Sequence, residues 1–136
     1  MTGDEATDAL IAEFEARTLD KTKWTHAAHV TTALAYVRTL GSDEALARLR
    51  TNIRAYNAAA GSPPDAYHET VTRAWVAIIV RFLAESDPAR PFATLLAALL
   101  ERCGRKDYLL KHYSRELLFS NLARAEWVLP DLAKLE

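Results

Sequence analysis

The stretch Trp24-Thr25-His26-Ala27-Ala28-His29-Val30-Thr31-Thr32-Ala33-Leu34-Ala35-Tyr36-Val37-Arg38-Thr39-Leu40-Gly41 decides the fold class. An α-helix advances about 100° per residue, so positions three and four apart share a face. From His26 that face carries His29, Val30, Ala33, Val37 and Leu40, and Gly41 is a natural stop. The spacing predicts a helix over about 25–40, with Thr25 or Thr22 as its N-cap and Thr25 preferred. Both histidines lie on the apolar face and point at the core.

Outward from this stretch the same period repeats, and no alternating strand-like run interrupts it. A first helix is expected over about Asp4 to Arg17, with Leu10, Ile11 and Phe14 on one stripe and acidic residues in its first turn. Ser42 is expected to cap a third helix, Asp43 to Ala60, whose stripe is Leu46, Leu49, Ile53 and Tyr56. Asn57 falls on that stripe and, if buried, needs hydrogen-bond partners. After Gly61-Ser62-Pro63-Pro64-Asp65, a fourth helix is expected from about Ala66 to Glu85. It is the most apolar of the set and the candidate central helix. Pro91 then precedes a helix from Phe92 to Cys103, stopped by Gly104. A turn from Asp107 to Tyr113 leads to Ser114, the expected N-cap of a last helix to about Val128. The fold class is therefore all-α: one domain, residues 1–136, built as a bundle of about five to six helices.

The third and last histidine of interest opens the fourth helix in Tyr67-His68-Glu69-Thr70. From His68 the shared face runs through Val71, Thr72, Trp75, Ile79 and Phe82, again the buried stripe. The second and fourth helices are separated by one helix, so in an up-down bundle they run parallel and begin at the same end. His26, His29 and His68 are then expected at one height, facing inward. Three neutral imidazoles with one open position are a recurring metal arrangement. This pattern points to a divalent metal ion, which His₃ does not resolve among Zn, Fe, Ni or Cu. It further points to a metal-dependent hydrolase or oxidoreductase acting on a small molecule.

Glu69 is the candidate catalytic residue, as general base on a metal-bound water; it can also orient an imidazole or cap its own helix. Tyr67 and Tyr113 are candidate walls of a substrate site. Arg115 and Arg124 are candidates for a substrate carboxylate, because guanidinium binds it with two prongs. His112 is read as a surface or shuttle residue ahead of a ligand. Trp24 and Trp75 are read as core fillers, and Cys103 as a small buried hydrophobe. The alternative reading is a metal-free helical binding or interaction module in which the histidines are structural.

Bulk properties exclude several classes. A net charge of −1 gives no polycationic footprint for nucleic acid. One cysteine leaves no intramolecular disulfide and fits a reducing compartment. No apolar run approaches the roughly 18 residues of a membrane span. Met1-Thr2-Gly3-Asp4-Glu5 is acidic and is not a signal peptide, so a cytoplasmic location is expected. Nothing in the sequence fixes an oligomeric state.

Taken together, Trp24-Thr25-His26-x-x-His29, Ile53 with Asn57, Tyr67-His68-Glu69-Thr70, Tyr113-Ser114-Arg115-Glu116, and Trp127-Val128 with Pro130-Asp131-Leu132 resemble a family of small, uncharacterised bacterial proteins. The resemblance spans about Phe14 to Leu135 and implies a stand-alone bacterial protein, with no activity attached. That family often has tyrosine at position 112. A looser, architectural similarity is to DinB-like bundles, which gather three histidines around one divalent ion. Here the close pair comes on the earlier helix and the single histidine later, the reverse of their pattern.

Overall fold

The computed structural model describes residues 2–135; Met1 and Glu136, the ends of the expected domain, lie outside the described residues. Five helices of eleven or more residues and two single-turn helices make up the chain, with no strand among the described residues. α1 is Glu5–Glu15, α2 His26–Leu40, α3 Ser42–Ala59, α4 Glu69–Ala84, α5 Phe92–Cys103, α6 Arg115–Leu118 and α7 Asn121–Ala125. Side chains from α1 to α6 join one hydrophobic core.

The centre of the bundle is α2, not α4 as expected. Every residue from Val30 to Val37 is buried, because α2 packs against α1, α3, α4 and α5 together. A helix surrounded on all sides cannot carry a polar face. Its threonines solve this locally: Thr31 Oγ1 donates to the Ala27 carbonyl at 2.7 Å and Thr32 Oγ1 to the Ala28 carbonyl at 2.9 Å. Tyr36 is fully buried, and its hydroxyl donates to Glu15 on α1 at 2.5 Å while accepting from Asn52 of α3 at 3.0 Å. Three helices are thereby joined through one phenol, whose ionisation is pushed far up by burial and then by the Glu15 carboxylate.

Helix ends follow the expected chemistry with informative shifts. Thr25 is the N-cap of α2, its hydroxyl accepting from the Ala28 N–H. Gly41 at φ 82° ends α2 and also starts α3, so one left-handed residue makes the whole connection. Ser42, expected as a cap, is consequently inside α3. Asn57 is half-buried and no side-chain hydrogen bond holds it to another described residue. α4 begins three residues later than expected, at Glu69, with His68 as its N-cap. The long final helix is broken in two: Ser114 caps α6, and Ser120 accepts from Ala123 N–H to restart the chain as α7.

After α7 the chain runs extended back across the bundle. Thr70, buried at the start of α4, donates to the Glu126 carbonyl at 2.7 Å and accepts from the Val128 N–H at 3.2 Å. Tyr113 donates its hydroxyl to the Val128 carbonyl at 2.7 Å, and Leu132 N–H donates to the His112 carbonyl at 2.9 Å. Among the described residues, no helix is long and apolar enough to cross a membrane.

Candidate functional site

The first turns of α2 and α4 do meet. They form one wall of a cavity of about 540 Å³, whose lining includes Thr25, His26, His29, Val71, Thr72 and Trp75. Leu49 and Ile53 of α3, Trp24 before α2, and Lys106 after α5 complete it. The volume lies within the usual range for small-molecule pockets, and an apolar lining with few polar groups is their usual composition.

Trp24 is held on edge of this cavity by an aromatic stack. Its ring lies 4.2 Å from that of Phe14 at 16°, and 3.9 Å from the His29 imidazole. Trp75 meets His26 edge-on at 5.2 Å. The two tryptophans are thus both core residues, as expected, and cavity walls.

The polar atoms of this wall are unevenly satisfied. His29 Nδ1 lies 2.8 Å from the Thr25 carbonyl. A carbonyl only accepts, so Nδ1 carries the proton and Nε2 keeps the lone pair. His26 Nε2 and Trp24 Nε1 are buried without any hydrogen-bond partner. A buried polar atom left unpaired costs about 1–3 kcal/mol, which native chains offset by water or a ligand. Both imidazoles are held below the ordinary histidine range and are neutral at pH 7. For His26 the causes are burial and then the Lys106 charge. For His29 burial dominates, partly opposed by its bond to Thr25.

His68 stands apart. Its Nδ1 accepts the Val71 N–H at 3.1 Å, and its Nε2 lies 2.7 Å from the Leu118 carbonyl, to which it donates. Both ring nitrogens are spent on backbone, and no lone pair is left for an ion. The three histidines expected around one metal are therefore placed as two and one. Among the described residues, no three side chains of His, Cys, Asp or Glu stand close enough together to hold a metal ion. The helix starts share a storey, but the N-cap backbone of His68 is extended, and its ring turns to cap its own helix rather than toward α2.

Glu69 is likewise committed elsewhere. Arg50 of α3 grips its carboxylate with two prongs, Nε at 2.9 Å and Nη2 at 2.6 Å, and the Tyr67 hydroxyl donates to the same group at 2.8 Å. The Arg50 bonds hold the carboxylate below its usual range, against the opposing effect of burial. A carboxylate so stabilised is a poor proton acceptor. Burial pushes the Tyr67 phenol up to about 12, and Arg54 lies over its ring at 4.8 Å. Neither Glu69 nor Tyr67 lines the cavity.

The remaining candidates also sit outside it. Tyr113 is wholly buried under the C-terminal segment. Arg115 is exposed in the first turn of α6. Arg124 donates to the Asp65 and Ala66 carbonyls at 3.0 and 3.3 Å, pinning the loop before α4. His112 places Nδ1 3.1 Å from the Ala133 carbonyl. Sequence reasoning missed Arg50 and Lys106. Arg50 had a signal, since it lies one position from Leu49 on a helix that must face α4; Lys106 lies in an irregular segment and had none.

A scan against protein-family models finds no match to this chain, and searches of curated proteins and of solved structures find none either.

Proposed function

We propose that this protein is a helical small-molecule-binding module whose ligand sits in the cavity between the first turns of α2 and α4. The observation that carries the reading is a preformed apolar cavity of about 540 Å³ between the two helix starts, lined by Trp24, Trp75, His26 and His29. An apolar space of that size with few polar groups is the usual form of a small-molecule site, and two residues of its wall, His26 and Trp24, each keep a buried ring nitrogen without a partner.

One observation favours a second reading, a metal-dependent enzyme acting on a small molecule. The Nδ1–H of His29 is anchored on a backbone carbonyl, the orientation that metal-ligating imidazoles adopt. A divalent Zn, Fe, Ni or Cu ion held by His26 and His29 would draw its other ligands from water or from the substrate.

The two readings separate in one experiment: native mass spectrometry with elemental analysis of the purified protein, followed by a thermal-shift screen of a fragment library. The Ala33→Leu variant, which intrudes on the cavity, is the control. Fragments that stabilise the wild type and not Ala33→Leu support the module. Stoichiometric metal lost in His26→Ala and in His29→Ala moves the assignment to the metal site. No metal, and no fragment that distinguishes the two proteins, overturns both.

A further inference from the structure

We infer that the ligand of this cavity is an aromatic carboxylate, seated with its ring against the Trp24 and Trp75 walls and its carboxylate toward Lys106. The inference rests on the cavity being a binding site and adds the class of molecule it takes.

Charge gives the first argument. Lys106 is the one formally charged residue of the lining, and no aspartate or glutamate joins it. A cation in this space would meet the like charge of Lys106 with no carboxylate in the lining to balance it. An anion finds its counter-ion in place.

Hydrogen-bond capacity gives the second, and it is independent of the first. An indole Nε1–H donates and never accepts. Trp24 Nε1 is buried and unpartnered, so the group that completes it must be an acceptor. The ammonium of Lys106 is also donor-only. His26 Nε2 serves as donor in its Nε2–H form. Thr25 and His26, the N-cap and first residue of the fifteen-residue helix α2, belong to the same wall. There the helix end adds positive potential, and the N–H groups of His26 and Ala27 have no partner among the described residues. His29 belongs to the same wall and keeps a lone pair on Nε2, which a neighbouring anion converts to a donor by favouring its protonation. Lys106 and the start of α2 thus set donors and positive potential beside one apolar space, which suits an oxygen anion that accepts from several directions, and a carboxylate does so.

The shape of the wall selects the rest. Two indoles and two imidazoles supply flat surface, while Val30, Leu49, Ile53 and Val71 supply aliphatic surface. Aromatic rings bind such walls by edge and offset contacts.

The test uses three probes of nearly one shape: 1-naphthylacetate, 1-naphthylacetamide and 2-(1-naphthyl)ethylammonium. Each is titrated by calorimetry into wild type, Lys106→Met and Ala33→Leu. Trp24 indole N–H is followed by NMR in parallel. Acetate is expected to bind at least about tenfold more tightly than the amide, and the ammonium most weakly, the span of one charge-assisted hydrogen bond. Lys106→Met, at an exposed position, should erase most of the advantage of the acetate over the amide. The Trp24 N–H resonance should move downfield with acetate. Equal binding of acetate and amide, with both lost in Ala33→Leu, overturns the carboxylate assignment and keeps the cavity. No binding by any probe, or binding indifferent to Ala33→Leu, overturns the cavity reading and this inference with it.

Discussion

The imidazole Nε2–H of His68 donates to the carbonyl of Leu118 at 2.7 Å, across fifty positions of chain, and so fastens the start of α4 to the end of α6. The opposite ring nitrogen caps α4 through the Val71 N–H. One side chain performs two structural tasks, and each can be removed separately.

His68→Ala removes the cap and strands the carbonyl of the buried Leu118. The expected cost is about 2–3 kcal/mol, from roughly 1 for the cap and 1–2 for the lost acceptor partner. His68→Asn keeps a capping oxygen and should recover about 1 kcal/mol of that. Urea denaturation of the three proteins, read as midpoint at constant slope, measures both steps. Loss of less than about 0.5 kcal/mol in His68→Ala, the range of ordinary surface substitutions, would show that the ring is not fastened as described.

Stability should fall as pH drops below the ordinary histidine value of 6.5. Burial is the leading cause that lowers His26, His29 and His68 in the fold. The unfolded chain therefore takes up protons near pH 6.5 that the folded chain refuses, and stability present above that pH is lost below it. His68 adds a hydrogen-bonding reason, because a protonated Nδ1 can no longer accept from the Val71 N–H. Thermal unfolding between pH 7.5 and about pH 5, above the carboxylate range, isolates the histidine contribution. His68→Asn should flatten the slope; a slope unchanged by that substitution assigns the effect to other groups.

The Arg50–Glu69 pair joins α3 to the first residue of α4. Its carboxylate side chain is 10% exposed and its guanidinium 35%, between the buried and the solvated cases. Arg50→Met should cost about 1–3 kcal/mol, since Glu69 then keeps only the Tyr67 hydroxyl. Glu69→Gln preserves an acceptor for Tyr67. The double variant should lose less than the sum of the singles by about 1 kcal/mol, a coupling that a double-mutant cycle reads directly. Strict additivity would mean that the two side chains do not share their energy.

Ala33→Leu places its added carbons in the cavity rather than against packed atoms. Its melting temperature should stay close to wild type, within the roughly 1.5 kcal/mol tolerated by well-accommodated apolar changes. A collapse in stability would show that the space around Ala33 is already filled.

Much of the helical framework was readable because it depends on local chemistry. Thr25 caps α2, Gly41 and Gly104 stop their helices, and Phe92 to Cys103 forms α5 between Pro91 and Gly104. Where the reading slipped, a longer-range partner decided the outcome. The start of α4 moved to Glu69 because His68 found Leu118 and Glu69 found Arg50, partners remote in sequence. The final helix broke because Ser120 offered a competing cap in the middle of an otherwise helical pattern. The meeting of the α2 and α4 first turns followed from helical period and bundle topology. The direction of the His68 ring did not, because an N-cap residue lies outside the helical dihedral region and its side chain leaves the helix stripe.

Thr70 is clasped from both sides by backbone that is synthesised more than fifty residues after it. During translation the start of α4 therefore waits, with a hydroxyl that has nothing to hold, until Glu126 and Val128 have left the ribosomal tunnel. A nascent chain halted before that point carries α2, α3 and α4 but not the latch that settles α4, and proteases or chaperones meet it in that unfinished form.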